Sequence, residues 1–436
     1  MNELAHQTAA LDTPADDTYS DGGGQGPARA DGLDLRPVPR VSIQAFCETP
    51  GVAQAIEQAS EDRRMAKAHT KVHMGGIAAA VDFYRSAPTP NLIILEMRGA
   101  LVTLTDGLDA LAEVCDAGTK VVVVGETNDI ELYRDLMRRG VSEYLVAPID
   151  LFDVIAAISE IFGDPEGSPL GRTIAFIGAK GGCGASTIAH NVSWSIARSL
   201  ETDVVLADFD LPFGTAGLDF NQDPLQGVLE AVSTPDRLDD MLFDRLLSKC
   251  SEHLSILAAP AALERAYDFK EDDFSQLIDI MRQGVPTVVC DVPHMWTSWV
   301  QKMLGAADEV VIVAEPDLAN LRNGKNLADK LRQLRPNDHA PHLVLNRVGV
   351  PKRPEIKPAD FAEALELTIG ASIPFDPQLF GTAANNGQMI AELGGKSEVC
   401  ETIKAIAQIT TGRREIHQSR RRSALTPLLQ KLRGRS

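Results

Sequence analysis

The sequence predicts an α/β protein built from two successive units, each on a mainly parallel sheet. Three observations predict this. Short apolar, β-branched runs recur along the chain, segments of helical length separate them, and one Pro/Gly/Ser stretch divides the series in two. Near-continuous apolar strands are the mark of a parallel sheet covered by helices on both faces.

Residues 1–40 are rich in Asp, Gly, Ala and Pro and poor in aromatic and β-branched side chains. Such a segment cannot bury enough surface to offset its ordering entropy, and it is expected to be disordered. The first unit, 41–163, follows. Its expected strands are VSIQAF (41–46), NLIILEM (91–97), KVVVVG (120–125) and SEYLVAP (142–148). Helical stretches such as LDALAEVCDAG and DIELYRDLMRRG lie between the later ones, and LFDVIAAISEIFG (151–163) closes the unit. Residues 164–171 read as a linker.

The second unit, 172–412, opens on the strand TIAFIGA (173–179). Its later strands are DVVLADFD (203–210), PTVVCDVP (286–293), DEVVIVAEP (308–316), HLVLNRV (342–348) and ASIPFD (371–376). This spacing predicts one large doubly wound domain.

TIAFIGA runs directly into Lys180-Gly181-Gly182-Cys183-Gly184-Ala185-Ser186-Thr187 and then into IAHNVSWSIARSL. Strand, glycine-rich turn and helix together form a phosphate cradle: backbone N–H groups point inward and the helix N-terminus favours negative charge. Ser186 stands where a hydroxyl ligates Mg²⁺. Gly184 and Ser186 meet the general phosphate-loop motif, but Ala179 replaces its opening glycine and Ala185 its lysine. A glycine-rich turn without ligand is the bland alternative.

Lys180 changes that balance. The loop resembles the deviant phosphate loop of the MinD/ParA ATPases, K-G-G-x-G-K-[ST]-T, in every fixed position except Ala185. The resemblance covers some 240 residues with at least four motifs in order. It implies that ATP and Mg²⁺ bind and that an ATP-dependent homodimer forms, in which Lys180 reaches the partner's phosphates. It also implies that Asp208 lies near Mg²⁺, that Asp210 orients the attacking water, and that Asp291 holds the metal's shell. Asn346 with Arg347 resembles the family's adenine-reading segment. The segments 373–377 and 383–390 look like its closing elements, with no chemistry assigned. A phosphate-loop lysine neutralises charge most strongly in the transition state. Ala185 therefore predicts ATP binding with slow or absent hydrolysis.

The first unit resembles a response-regulator receiver (flavodoxin-like) domain without its phosphorylation groups. Cys47-Glu48 leaves at most one acid after strand one, Glu96 stands at the acceptor position, and Ala147 precedes Pro148 where a lysine is needed. Thr127 lies near the switch position. Glu96 is expected to supply a fixed charge or to be a strand-end carboxylate, and the unit to be an interaction platform.

The formal charge of −19 argues against a nucleic-acid-coating surface. The tail, 413–436, is a separate basic object. Arg413, Arg414, Arg420, Arg421, Arg422, Lys431, Arg433 and Arg435 face one acid, Glu415, and Leu425, Leu428, Leu429 and Leu432 form a helical stripe. A basic amphipathic end of this kind suits an anionic membrane surface, so peripheral contact through residues 420–436 is expected. Docking on the body or on a partner protein is the alternative. The six cysteines are scattered without metal or redox spacing. No signal-like or membrane-spanning run is evident, which together predicts a cytoplasmic protein.

The combination of both units resembles the CpaE/TadZ proteins of Tad-type (Flp) pilus assembly. It implies a localisation factor, polar in placement, for the pilus secretion machinery. The implied partners are the pilus motor ATPase and inner-membrane assembly proteins. A MinD/ParA-like ATPase that positions DNA or a division complex is the alternative function.

Overall fold

The computed structural model describes residues 35–98, 101–163, 170–224, 226–263 and 266–413. The expected disorder before residue 35, most of the expected linker, and the tail beyond Arg413 lie outside the described residues.

The first sheet has five strands: β1 (Ser42–Cys47), β2 (His69–Met74), β3 (Leu92–Glu96), β4 (Lys120–Gly125) and β5 (Glu143–Val146). Their order is β2-β1-β3-β4-β5 with every pair parallel. β3 is buried along its whole length because helices cover both faces. Sequence reading misses β2, whose HTKVHM opens on three polar residues and lies at the sheet edge.

The second sheet contains β6 (Arg172–Gly178), β7 (Val204–Asp208), β8 (Ser248–Lys249), β9 (Leu254–Leu257), β10 (Thr287–Val292), β11 (Glu309–Ala314), β12 (His342–Val348) and β13 (Ile369–Pro374). Its order is β13-β12-β11-β6-β10-β7-β9-β8, and only the short β8 runs antiparallel. β8 and β9 are additions to the strands expected from sequence. The chain is therefore of the α/β class in both units. β10 inserts between β6 and β7, while β11 lies on the other side of β6. This reversal opens a crevice at the carboxyl ends of the central strands, where ligands bind in such sheets.

The two units meet through charge. Arg63 and Arg64, in the 3₁₀ turn Arg63–Met65, point into the second unit. Arg63 Nε donates to Asp338 Oδ2 (2.7 Å), and Arg64 Nη2 donates to Asp338 Oδ1 (2.7 Å). Arg64 also pairs with Asp62 (3.0 Å), and Arg335 pairs with Asp338 (3.2 Å). Asp308 takes Arg63 at 3.3 Å and Arg282 at 3.1 Å, while accepting from the Thr173 amide at the start of β6 (2.8 Å). These groups are nearly all buried, so their charges are not relaxed by water.

Candidate functional site

β6 ends at Gly178, and Ala179 N donates to Val313 O of β11 (2.8 Å), which fixes where the loop leaves the sheet. Gly182 (φ +81°) and Gly184 (φ +92°) occupy the left-handed region, which side-chain-bearing residues rarely adopt. Cys183 is buried beneath the loop, with Sγ 3.2 Å from Val313 O. Burial raises its thiol pKa, so it packs and is not an exposed nucleophile. The helix Ala185–Ser199 starts at once. Ala185, Ser186 and Thr187 thus form its first turn, where backbone N–H groups are left without helical partners.

Parallel register brings the acids together. Asp208 at the end of β7 pairs in register with Asp291 near the end of β10. Both are essentially inaccessible. Asp208 accepts from the amides of Asp210 and Ala216, each at 3.1 Å. Burial and the neighbouring Asp291 raise the Asp208 carboxyl well above the usual range. Asp210, half-buried, accepts from Phe213 N (3.3 Å), and burial raises its pKa too. Two adjacent buried carboxylates are costly unless a cation joins them.

Lys180 is half-exposed at the rim, with Nζ 3.9 Å from Asp317. Asp317 caps the helix Leu318–Leu334, and Asn323 of that helix donates to Ala179 O (3.0 Å). On the other side, Asn346 Nδ2 donates to Cys183 O (2.8 Å) and Asn346 Oδ1 accepts from Arg347 N (2.9 Å). Asn346 thus ties the loop to β12, and an incoming base finds the second N–H of its Nδ2 and the second lone pair of its Oδ1. Arg347 pairs with Glu315 (2.7 Å). A cleft beside Gly184 and Thr187 is walled by Asn346, Arg347, Phe375 and Phe380, a size and polarity suited to a purine. The 373–377 segment, to which sequence reading gave no chemistry, supplies part of this wall.

Sequence reading also missed His190, Asp219 and His294. His190 is fully buried, with Nδ1 2.7 Å from Asp219 and Nε2 3.2 Å from Asp291. Burial opposes its protonation, but Asp219 and Asp291 more than offset this and raise its pKa to about 10. His294, just past β10, places Nδ1 2.9 Å from Gly178 O. The signal for His190 was its place one helical turn after Ser186.

In the receiver-like unit, Glu96 is held by the loop that follows β1. Its Oε2 accepts from the amides of Glu48 (2.7 Å) and Thr49 (2.8 Å), and its Oε1 from the Thr49 hydroxyl (2.6 Å). The buried carboxylate anchors the loop that starts the helix Pro50–Ser60.

A glycine-rich loop on the central strand, two buried acids in register and an adjoining cleft define the class: an α/β protein of the P-loop fold. Comparison with known proteins extends this. A ParA family ATPase from Chlorobium tepidum aligns at 25% identity and TM-score 0.51, covering 55% of this chain and 98% of that one. The Escherichia coli septum site-determining protein MinD is 26% identical over 232 residues, 51% of this chain and 84% of MinD. The pilus assembly protein CpaE structure from Caulobacter crescentus is 53% identical, covering 30% of this chain and 98% of that chain, with TM-score 0.29. On that sequence identity, the chain belongs to the CpaE pilus assembly proteins, with MinD/ParA-type ATPase relatives. No protein-family model matches it.

Proposed function

We propose that this chain is an ATP-binding, dimer-forming assembly factor for Tad-type (Flp) pili, in which nucleotide occupancy matters more than turnover. One observation carries the reading: the cradle is intact in backbone, glycine conformation and paired acids, yet position 185 holds alanine. The residues present suit a Mg²⁺–nucleotide. The first turn from Ala185 to Thr187 and the amides of Gly181–Gly184 would hold phosphates. Ser186, Asp208 and Asp291 would hold the metal, which supplies charge neutralisation at the phosphates. Asp210 would orient water, and the rim position of Lys180 leaves its ammonium for a second copy's phosphates.

With Ala185→Lys, steady-state turnover should rise by about 10²-fold, while fluorescent-ATP affinity changes little. A native chain that already hydrolyses ATP as fast as this variant overturns the reading. The named pilus partners, the motor ATPase and inner-membrane proteins, belong to the same proposal and would be recruited by the dimer.

Membrane contact is assigned to residues 420–436 because basic residues flank the stripe Leu425, Leu428, Leu429 and Leu432. Deleting 420–436 should abolish co-sedimentation with anionic liposomes. Unchanged lipid binding rules the tail out, and salt-sensitive DNA retention lost with the tail supports the DNA-positioning alternative instead.

A further inference from the structure

We propose that His190 is a direct metal ligand, so that His190 Nε2, Asp208 and Asp291 form a three-donor site for a divalent transition-metal ion. The inference rests on placing a cation at the paired acids, as above, and goes beyond it in the donor set and the class of metal.

Helical geometry starts the argument. His190 lies four residues after Ser186 on the helix Ala185–Ser199, and its ring meets Asp291 near the end of β10. The ring is fully buried among acids. Asp219 Oδ2 holds Nδ1 at 2.7 Å, and Thr215 Oγ1 donates to the same Asp219 oxygen at 3.3 Å. A carboxylate on one ring nitrogen fixes the tautomer and frees the other as a ligand, the usual support for metal-bound histidine. The segment is doubly committed, because Ala216 N also donates to Asp208 Oδ2. One short helix, Ala216–Asp219, therefore sets two of the three donors.

The freed nitrogen is unsatisfied. His190 Nε2 is buried without a hydrogen-bond partner, and its 3.2 Å approach to Asp291 Oδ2 lacks hydrogen-bond geometry. Two donors on one ion, each bonded at about 2.0–2.2 Å, stand about 3 Å apart. One atom from each of His190, Asp208 and Asp291 lies within 4.8 Å of the others. That spacing suits co-ligands of a single ion. A divalent ion takes the place of the ring proton and neutralises both carboxylates.

Donor chemistry selects the metal. Mg²⁺ demands oxygen ligands in near-ideal octahedra, whereas imidazole with carboxylates suits Mn²⁺, Co²⁺ or Zn²⁺. The plain alternative is a structural imidazolium bridging Asp219 and Asp291 with no metal.

The test uses the full chain stripped with EDTA, without nucleotide. Titration with CoCl₂ should produce visible d–d bands at one equivalent, with affinity at least about tenfold above that for Mg²⁺. In His190→Gln the bands should shift and affinity should fall by about 10- to 100-fold. Pulsed EPR of the native chain loaded with Mn²⁺ should show ¹⁴N coupling from imidazole, a readout that does not depend on the variant folding. Absence of ¹⁴N coupling, or an unchanged Co²⁺ spectrum in a folded His190→Gln, overturns the proposal. Fluorescent-ATP binding with Mg²⁺, measured separately, reports on the nucleotide reading alone.

Discussion

Asp338→Ala should destabilise the chain by about 3–5 kcal/mol, because it removes the carboxylate that three guanidiniums share. Arg63, Arg64 and Arg335 all pair with Asp338, whose side chain is only 3% exposed. Without it, cations from both units face each other in a low-dielectric seam, so the loss exceeds that of one hydrogen bond. The seam also explains where the cost falls. Arg63 and Arg64 belong to the receiver-like unit, and Asp338 follows the helix Leu318–Leu334 of the second unit. Calorimetry should therefore show a lower, broadened or split transition, as the units lose their common cooperativity. Lys67→Ala supplies the control. Lys67 pairs with Asp279 across the same seam, but both are about half exposed, and such pairs contribute at most about 1 kcal/mol. Equal effects of the two substitutions would refute the buried seam.

The same groups give a pH dependence with a definite sign. Burial works against ionising Asp308, yet Arg282, Arg63 and the Thr173 donors more than offset it and hold its carboxyl below the usual range. Asp338 is likewise lowered: burial opposes ionisation, and the Arg63 hydrogen bond and charge overcome it. A carboxylate with a depressed folded pKa contributes stability above its unfolded value of about 3.9, and that stability is lost as pH falls through the folded value. Stability should therefore hold at neutral pH and decline as pH falls below about 4. The decline should be shallower in Asp338→Ala. An identical acid slope in both chains would show that the seam is not the titrating element.

Much of the fold was legible because parallel strands buried on both faces carry continuous apolar runs, as LIIL in β3 and VVC in β10 do. β2 and β9 were not. HTKVHM is an edge strand whose burial is only partial, and LSIL is too short to stand out from the loops around it. In the site, the motif residues Lys180–Thr187, Asp208 and Asp291 were readable because each ends a strand or follows one directly. His190 was not, since its meaning comes from Asp219 and Asp291 on other elements. EDRRMAK, which carries the seam, reads as an ordinary charged turn until Asp338 and Asp308 stand opposite it. For Glu96, sequence alone could not choose between a fixed charge and a strand-end group. Its two amide donors and the Thr49 hydroxyl show that it organises a loop.

Gly184→Ala should lower nucleotide affinity by about 100-fold or more while leaving the fold intact. Gly184 sits at φ +92°, where an L side chain is strained by roughly 1–2 kcal/mol. Strain alone would account for only about a tenfold effect. The larger part comes from position: a methyl at residue 184 would stand 2.5 Å from Asn346 Nδ2. Asn346 must then release Cys183 O, which loosens the loop on the side facing the purine-sized cleft. One methyl thus disturbs both the phosphate cradle and the base wall, and losses at two contacts with one ligand compound. Asn346→Gly tests this route, because it too releases Cys183 O and removes part of the base wall. Alone it should lower affinity, and added to Gly184→Ala it should cost less than it does alone. Titration of fluorescent ATP against the single and double variants measures this directly. Fully additive losses in the double variant would show that Gly184→Ala does not act through Asn346. Native affinity in Gly184→Ala would mean that the nucleotide does not sit in this loop.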